Sequence, residues 1–290
     1  MSGRFGAIEA GGTKFVVSAG TGPEDLAPPA RFDTTRDPRQ TVAEAVRWLK
    51  QNGPVDAVGV ACFGPVDLAR GVITTTPKEG WRDFPIRQEI EQAMGVPVRV
   101  DTDVNVAGLG EAVWGAARGL DTFVYLTVGT GIGGGGLVRG RMMHGKQHPE
   151  MGHLLLPRHP DEPEGFEGVC PWHKDCLEGL ASGPAIQARW GRPGHHLPSD
   201  HAAWRIETHY LALALVNLIF TLSPERIVMG GGVMEQAHLF PMIRRRVAEL
   251  VAGYVDPPEI VPPLQKWCGV LGAIALAAGP AGMPHYEGGS

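Results

Sequence analysis

The sequence predicts an α/β protein, because strand-like and helix-like segments alternate along the chain. Two observations carry this prediction. Short apolar segments that end in turn residues alternate with segments of helical period through the first half of the chain. A strand, a glycine and threonine turn and a second strand occur twice, around Thr13 and around Thr130. The recurrence suggests two related halves that face a cleft.

Composition and charge exclude several classes of protein. A hydrophobic content of 43% in 290 residues is enough to bury a core, in roughly two domains of about 150 residues each. The balance of 26 basic against 31 acidic residues gives a net charge of −5, which does not attract nucleic acid or anionic lipid. The longest apolar stretch, Leu211 to Leu222, is too short to cross a bilayer, and no signal-peptide pattern is present. We therefore expect a cytoplasmic protein with no nucleic-acid and no membrane partner.

The first half of the chain is predicted to open with a β-hairpin. Apolar runs over 5–10 and 14–19 flank the turn Gly11-Gly12-Thr13. Asp37 and Pro38 are typical of a helix start and Gly53 of a helix end, which predicts a helix over 38–52. The elements predicted after it are a strand over 55–61, a strand over 71–76, a helix over 85–94, a strand over 97–101 and a helix over 104–117.

The second half is predicted to open with a strand over 121–128 that runs into a second glycine turn. Gly129, Gly131 and Gly134 match the G-x-G-x-x-G spacing of dinucleotide-binding proteins. That motif must open a helix, but here Leu137-Val138-Arg139 has the pattern of a returning strand. The pattern favours a hairpin over a dinucleotide-binding turn.

The rest of the chain combines an irregular segment with mainly helical ones. Residues 157–172 are rich in proline, glycine and acids and would not hold a regular element unaided. Helices are predicted over 184–190, 201–222, 233–252 and 269–278, with a strand over 226–229 that leads into three glycines. We expect the tail after Gly279 to be loosely held.

Three glycine-rich turns are candidate nucleotide-binding sites. Their backbone N–H groups, two threonine hydroxyls and one lysine suit a polyphosphate. Each could be an ordinary turn on its own, but the combination favours nucleotide binding. The candidate residues are Gly11, Gly12, Thr13, Lys14, Gly129, Thr130, Gly131, Gly230, Gly231 and Gly232.

The segment Asp101-Thr102-Asp103-Val104-Asn105 places two carboxylates and an amide where a strand passes into a helix. Residues at such junctions project towards ligands, and helix N-termini favour anions. One aspartate could cap the helix. Because capping uses only one, the other is available as a general base for a hydroxyl group.

A cluster of cysteines and histidines indicates a metal site. Cys170, His173 and Cys176 are each separated by two residues, a spacing that suits zinc. A fourth ligand could come from His153, His148 or His159, and the spacing alone does not choose. A closed set of four ligands would be structural and would fix the irregular segment. The alternative is that these are scattered histidines and free thiols.

Two glutamates flank this cluster, Glu150 and Glu178. A metal ion between them would hold both carboxylates in place, and paired acids can bind vicinal sugar hydroxyls. Without the metal, surface exposure is the better interpretation of both.

The combination of these motifs resembles the ROK family of sugar kinases and repressors, and its zinc-containing fructokinase branch in particular. The resemblance covers nearly the whole chain. The segments that carry it are 9–14, 61–67, 101–105, 129–134, 150–153 and 170–178.

The resemblance implies an actin-like, ribonuclease H-like fold of two domains, with ATP and sugar meeting in the cleft. It implies that Asp103 is the catalytic base for the 6-hydroxyl of D-fructose. Asn105, Glu150, His153 and Glu178 match sugar-binding positions of the family, and His153, Cys170, His173 and Cys176 match its zinc ligands. The glycine turns match its phosphate-binding turns, and Mg²⁺ would offset the phosphate charge.

The domain division expected from this resemblance is a smaller N-terminal domain over 1–118, completed by the C-terminal helix near 269–279, and a larger domain over 119–268 that holds the zinc segment. A homodimer is expected from the resemblance alone. Two departures from the commoner family pattern are Glu9, where many members have aspartate, and His173, where glucokinase-like members usually have cysteine. Glu9 bears on magnesium coordination, and His173 points away from glucokinase. The alternatives left open are a broader kinase of mannose or glucose and a non-catalytic sugar sensor.

Overall fold

The computed structural model describes residues 3–279, which form two compact units. The first comprises residues 3–120, 139–148 and 264–279, and the second comprises 121–138 and 149–263. Residues 139–148 thus group with the first unit, whereas the sequence division assigned them to the second. The domain boundaries predicted from the sequence stay a prediction, and the expectation for the tail after Gly279 lies outside the described residues.

The first unit is built on a five-stranded sheet with helices on both faces. Its regular elements up to residue 120 are β1 (Phe5–Ala10), β2 (Lys14–Gly20), β3 (Ala30–Asp33), α1 (Pro38–Gln51), β4 (Ala57–Cys62), β5 (Val66–Asp67), β6 (Val72–Ile73), α2 (Ile86–Met94), β7 (Val98–Thr102) and α3 (Asp103–Trp114). The strand order is β3-β2-β1-β4-β7, in which β1 pairs antiparallel with β2 and parallel with β4.

The second unit contains its own sheet. Its elements, together with two that return to the first unit, are β8 (Phe123–Val128), β9 (Ile132–Val138), β10 (Arg141–Met142), α4 (Leu177–Ala181), α5 (Gly183–Trp190), α6 (Ala203–Leu222), β11 (Arg226–Gly230), α7 (Leu239–Val251), β12 (Glu259–Val261) and α8 (Cys268–Ala278). Strand β10 and helix α8 belong to the residues of the first unit. In the second unit β8 pairs antiparallel with β9 and parallel with β11, which pairs parallel with β12.

Close packing of two helices fixes the start of α3 in the first unit. Val106 and Leu109 of α3 share a core with Val270 and Ile274 of α8. A Cβ atom on Gly272 would clash with the carbonyl oxygen of Val106, so the two backbones approach as closely as glycine allows. The N-terminus of α3 is therefore held rigidly.

Most of the predicted elements are present within a few residues of their expected ends. Asp37 caps α1 by accepting from the backbone N–H groups of Arg39 and Gln40, as the sequence indicated. Strand β9 returns antiparallel along β8, which confirms a hairpin and excludes a dinucleotide-binding turn.

One helix prediction was wrong in its first part. The segment predicted as a helix over 233–252 is a 3-10 turn over Gly232–Glu235 followed by α7, which begins at Leu239. Gln236 leaves the helical region with a ψ of 84°, because Val233 and Met234 are both buried and the chain must turn before its next apolar residue enters the core.

Several short elements have no counterpart in the prediction, namely β3, β5, β10, β12 and α4. Each spans five residues or fewer, which is too short for a hydrophobic period to be read. Within the described residues, no helix combines the length and apolar composition that crossing a membrane requires.

Candidate active site

The first glycine turn is held from behind by a threonine. The backbone N–H of Gly11 donates to the carbonyl of Lys14 at 3.0 Å, which closes the turn between β1 and β2. The Thr34 hydroxyl donates to the carbonyl of Gly11 at 2.7 Å, and the Thr34 N–H donates to the carbonyl of Thr13 at 3.0 Å. Gly12 and Thr13 are exposed, whereas Thr34 is buried. Two carbonyls of the turn are thus tied inwards, and its exposed side is left for a ligand.

The backbone at Thr34 and Thr35 is itself fixed by two side chains that the sequence did not single out. The Lys78 ammonium donates to the carbonyl of Thr34 at 2.9 Å, and the Trp81 indole N–H donates to the carbonyl of Thr35 at 2.8 Å. Trp81 is fully buried, with its ring centroid 5.4 Å from that of Phe15. An aromatic core therefore supports the loop that supports the turn.

The two aspartates at the start of α3 have different environments. Asp101 is 3% exposed, and its Oδ1 accepts from the Thr102 N–H at 2.7 Å and from the Asn105 amide at 3.1 Å. The cap of α3 is Thr102, whose hydroxyl accepts from the Asn105 N–H. Neither aspartate is the cap, so the capping role that the sequence left open falls to the residue between them. Asp103, half-buried, is the first residue of the helix.

Asn105 is fully buried, and its amide nitrogen is used within the protein. It donates to Asp101 and, at 3.2 Å, to the carbonyl of Met143. His144 adds an imidazole to this cluster, with its Nε2 2.8 Å from Oδ2 of Asp101. The hydrogen bond to Asp101 raises the pKa of His144. Sequence reasoning missed His144, because it lies 41 residues after Asp103 and outside any motif.

Two groups near the strand ends have displaced pKa values. Burial raises the pKa of the Cys62 thiol well above its usual range, and the negative charge of Asp103 adds to the effect. Burial also raises the pKa of the Glu9 carboxyl, against the opposing charges of Lys14 and Arg31. Cys62 therefore stays protonated. The negative charge of Asp103 acts on this thiol, at the end of β4.

The second glycine turn is bordered by a carboxylate and by other glycines. Oε2 of Glu178 accepts from the N–H of Ile132 at 3.0 Å and lies where a side chain on Gly131 would come within 2.7 Å. The Gly183 N–H donates to the carbonyl of Gly129 at 2.7 Å. A Cβ atom on Gly129 would lie 3.6 Å from the backbone nitrogen of Gly232. The turn at Gly129 and the glycines after β11, which the sequence proposed as nucleotide-binding, are therefore neighbours.

Gly231 shows why glycines are needed there. Its φ of +90° disfavours any side chain, and a Cβ atom would clash with the backbone of Val128. Gly230 lies at the end of β11, against the Tyr125 hydroxyl. The backbone after β11 therefore passes directly over the end of β8. Thr130 is exposed at the tip of the turn.

The structure brings four predicted metal ligands together in the second unit. One ligand atom from each of His153, Cys170, His173 and Cys176 lies within 4.8 Å of all the others. Nδ1 of His153 is 3.4 Å from the Cys176 sulfur and 3.8 Å from the Cys170 sulfur, and Nδ1 of His173 is 3.9 Å from the Cys170 sulfur. Around a tetrahedral zinc ion, bond lengths of about 2.3 Å to sulfur and 2.0 Å to nitrogen place these atoms about 3.6 Å apart. The four side chains fit such an ion.

The other two candidate ligands lie elsewhere. His148 accepts from the backbone N–H of Val66 at 3.1 Å, and the His159 ring packs against His209 with centroids 4.7 Å apart. Burial raises the pKa of the Cys176 thiol to about 11, and the neighbouring Cys170 adds to the effect. The Cys176 thiol is therefore held protonated unless a cation is present to stabilise its anion.

The cluster is connected to the second glycine turn by short segments. Cys176 precedes α4, and Glu178, which touches the turn, is the second residue of that helix. His153 ends the 3-10 turn Met151–His153, where a Cβ atom on Gly152 would clash with the carbonyl oxygen of Ile132. Glu150 precedes this turn and is exposed. Of the two glutamates predicted to bind sugar, Glu178 is fixed against the turn and Glu150 lies at the surface.

Comparisons with a family model, with protein sequences and with solved structures all indicate the same family. A model of the ROK family matches residues 5–279. A fructokinase from Zymomonas mobilis is 42% identical over 290 residues, covering 94% of this chain and 96% of that protein. A fructokinase from Lactococcus lactis subsp. cremoris is 40% identical over 263 residues, covering 89% of each. The crystal structure of a ROK hexokinase from Thermus thermophilus superposes with a TM-score of 0.78 at 27% identity, covering 95% of this chain and 98% of that one. The predicted actin-like α/β fold is thereby confirmed.

Proposed function

This chain belongs to the ROK family, and we propose that it phosphorylates D-fructose to D-fructose 6-phosphate with ATP. The fructokinases of Zymomonas mobilis and Lactococcus lactis support the sugar and the reaction, since each aligns over most of its length. The proposal follows from the family together with the chemistry of the side chains at the start of α3.

The observation that carries the proposal is the different use of the two aspartates at this helix. Asp101 is buried and accepts hydrogen bonds through both of its oxygens, so it is occupied in holding the structure. Thr102 already caps the helix. Asp103 is the first residue of the helix and is only half-buried, and its Oδ1 accepts from the Val104 N–H at 3.0 Å. We assign it as the base that takes the proton from the 6-hydroxyl while that oxygen attacks the γ-phosphate.

The glycine turns are assigned to the phosphates of ATP. Backbone N–H groups at Gly11 to Thr13 and at Gly129 to Gly131, with the hydroxyls of Thr13 and Thr130, offer donors to anionic oxygens. Lys14 adds a cation beside the first turn. The backbone over 230–232 lies next to the second turn, and we assign it to the nucleotide as well.

Two metals belong to the proposal. Mg²⁺, when bound with ATP, offsets the negative charge of the phosphates. Glu9, two residues before the first turn, offers the hard oxygen ligand that this ion prefers. The cluster of His153, Cys170, His173 and Cys176 would hold a structural Zn²⁺, in agreement with its sulfur to nitrogen separations.

The sugar-binding role is assigned to Asn105, Glu150, His153 and Glu178. Carboxylates and amides pair with vicinal hydroxyls, which both donate and accept. A homodimer also belongs to this proposal, on family grounds alone. A broader hexose kinase is the second candidate, which the hexokinase at 27% identity favours.

The test of the base is the variant Asp103→Asn, with Asp101→Asn as its comparison. In a coupled assay of ADP release with ATP, Mg²⁺ and fructose, we expect Asp103→Asn to lower kcat by about 10²–10⁴-fold, the contribution of a general base. Fructose binding, measured by calorimetry, should be retained. Asp101→Asn should instead lower thermal stability, because the Asp101 carboxylate holds Asn105 and His144.

Three outcomes would contradict parts of the proposal. Undiminished kcat in Asp103→Asn would remove that residue as the base. A panel of fructose, mannose, glucose and N-acetylmannosamine tests the substrate. A kcat/KM that is equal for fructose, mannose and glucose would favour the broader hexose kinase, and turnover of none of them would contradict the kinase assignment.

A further inference from the structure

The side chain of His144 is fixed to the buried carboxylate beside the proposed base. Asp101 accepts from the Thr102 N–H and the Asn105 amide at Oδ1, and its Oδ2 lies 2.8 Å from Nε2 of His144. A carboxylate next to a bare ring nitrogen would place two acceptors against each other, so the proton lies on Nε2. The orientation of the imidazole is therefore determined by Asp101.

The other ring nitrogen of His144 has no such partner. Within residues 3–279, no hydrogen bond joins its Nδ1 to the protein, and the side chain is 37% exposed. Asn105, by contrast, is fully buried and donates to Asp101 and to the carbonyl of Met143. His144 is thus the member of this cluster that presents a polar atom away from it.

The loop that carries His144 is shaped to present the ring. The carbonyl of the preceding residue, Met143, accepts from the buried Asn105 amide, and the Met143 side chain is buried. The Gly145 N–H donates to the carbonyl of Gln147 at 2.8 Å, and the His148 ring accepts from the N–H of Val66. Both ends of the short segment are therefore anchored to the first unit, and the ring is preorganised at low cost in entropy.

We propose that His144 is a further sugar-binding residue, whose Nδ1 makes a hydrogen bond to a hydroxyl group of the hexose other than the 6-hydroxyl. The inference rests on the proposed function, because Nε2 of His144 lies 3.3 Å from the amide nitrogen of Asn105, a residue that this function assigns to the sugar. The carboxylates of Asp101 and Asp103 make this place unfavourable for a phosphate and suitable for a neutral polyol.

A hydroxyl group fits Nδ1 in either protonation state. Neutral His144, with its proton on Nε2, accepts at Nδ1 from the hydroxyl. The Asp101 carboxylate raises the pKa of His144, and the protonated ring donates at Nδ1 to the hydroxyl oxygen. An anion or a cation would fit only one of the two states, which is why the structure points to a hydroxyl.

The test uses a substitution that keeps one ring nitrogen and removes the other. In His144→Gln the side-chain amide can reach the position of Nε2 and still donate to Asp101, but nothing replaces Nδ1. We expect the KM for fructose to rise about tenfold, which is the cost of one hydrogen bond, while the KM for ATP stays within twofold. Lys146→Gln, an exposed change on the same loop, is the matched control and should leave both KM values unchanged.

Deoxy analogues of fructose distinguish a direct contact from a structural effect. With the wild type, loss of the hydroxyl that His144 binds should raise KM about tenfold, and in His144→Gln that same loss should cost little more. If every analogue loses equally in both proteins, or if His144→Gln leaves the KM for fructose unchanged, the inference is overturned.

The contact between His144 and the sugar can still be tested if the proposed function is wrong. Should the wild type prefer another hexose, the same comparison is made with the deoxy analogues of that hexose. Should the wild type turn over no sugar, the fructose-dependent rise in melting temperature of the wild type and His144→Gln replaces KM. An equal rise in both proteins, or no rise with any hexose, then counts against the contact at His144.

Discussion

The two glycine turns have similar local sequences but are supported in different ways. The turn at Gly11 is tied to Thr34 by a hydroxyl and a backbone N–H. The turn at Gly129 is bordered by the Glu178 carboxylate and receives the N–H of Gly183. Thr34 follows β3 in the same sheet, whereas Glu178 lies two residues after a member of the metal cluster.

This difference indicates that the turns can be weakened separately. The support of the first turn consists of hydrogen bonds and an aromatic core, which the chain provides alone. The support of the second turn passes through Cys176 and the start of α4, an element of five residues with no side-chain cap. A helix so short is not stable by itself. The second turn should therefore depend on a bound metal, and the first should not.

Metal removal should have the largest effect. Dialysis of the untagged protein against a chelator should lower the melting temperature by about 10 °C, which for a chain of this size corresponds to about 4 kcal/mol. The KM for ATP should rise, because Glu178 loses its fixed position. Elemental analysis before dialysis should give one zinc ion per chain.

The variant Cys176→Ser should reproduce the effect of the chelator without the chelator. Hydrogen exchange provides the regional measurement: protection should be lost at residues 150–180 and around Gly129 and kept at residues 11–13. A metal content near zero in the active protein, or an equal loss of protection at both turns, would contradict the difference between them.

The fold could be predicted from the sequence where apolar periods are long and have clear end signals. Helix α1 has Asp37 and Pro38 at its start, and the β8 to β9 hairpin has its glycine turn. The helix predicted over 233–252 was wrong at its start because Val233 and Met234 fit a helical period but are buried by a 3-10 turn. Periodicity reports which residues are buried, and over four residues it does not distinguish the two geometries.

Removal of one hydroxyl should have an intermediate effect, confined to the first turn. Thr34→Val keeps the shape of the side chain but leaves the Gly11 carbonyl without its donor at 2.7 Å. We expect the KM for ATP to rise about tenfold, since a lost hydrogen bond to a buried group costs about 1–3 kcal/mol. Thr34→Ser keeps the hydroxyl and should behave as the wild type, and zinc content should be the same in all three proteins. An unchanged KM for ATP in Thr34→Val would show that the turn needs no support from Thr34.

The candidate site was predictable only where its residues follow a motif. Asp103 and the metal ligands belong to motifs with a recognisable spacing along the sequence, so their chemical roles could be predicted before their positions were known. Thr34 and His144 were not predicted, because each acts through a contact made by folding: Thr34 with Gly11 and His144 with Asp101. A threonine or histidine in a loop has no local pattern that identifies its partner.

The smallest expected effect concerns the charge that precedes the first turn. Burial raises the pKa of Glu9, which is packed against Gly269 of α8, while four residues before Thr130 the second turn has the apolar Leu126. Because the raised pKa belongs to the folded state, the contribution of Glu9 to stability is complete below its unfolded pKa of about 4.5 and is lost as pH rises through the folded pKa.

Glu9→Gln, which imitates the protonated acid, should melt as the wild type does near pH 4 and a few degrees higher at pH 7. Melting curves from pH 4 to pH 8 measure this, with the exposed Glu24→Gln as the control. A difference between Glu9→Gln and the wild type that does not change with pH would mean that Glu9 is ionised at no cost, and the charge at the first turn would then be as well accommodated as the apolar side chain at the second.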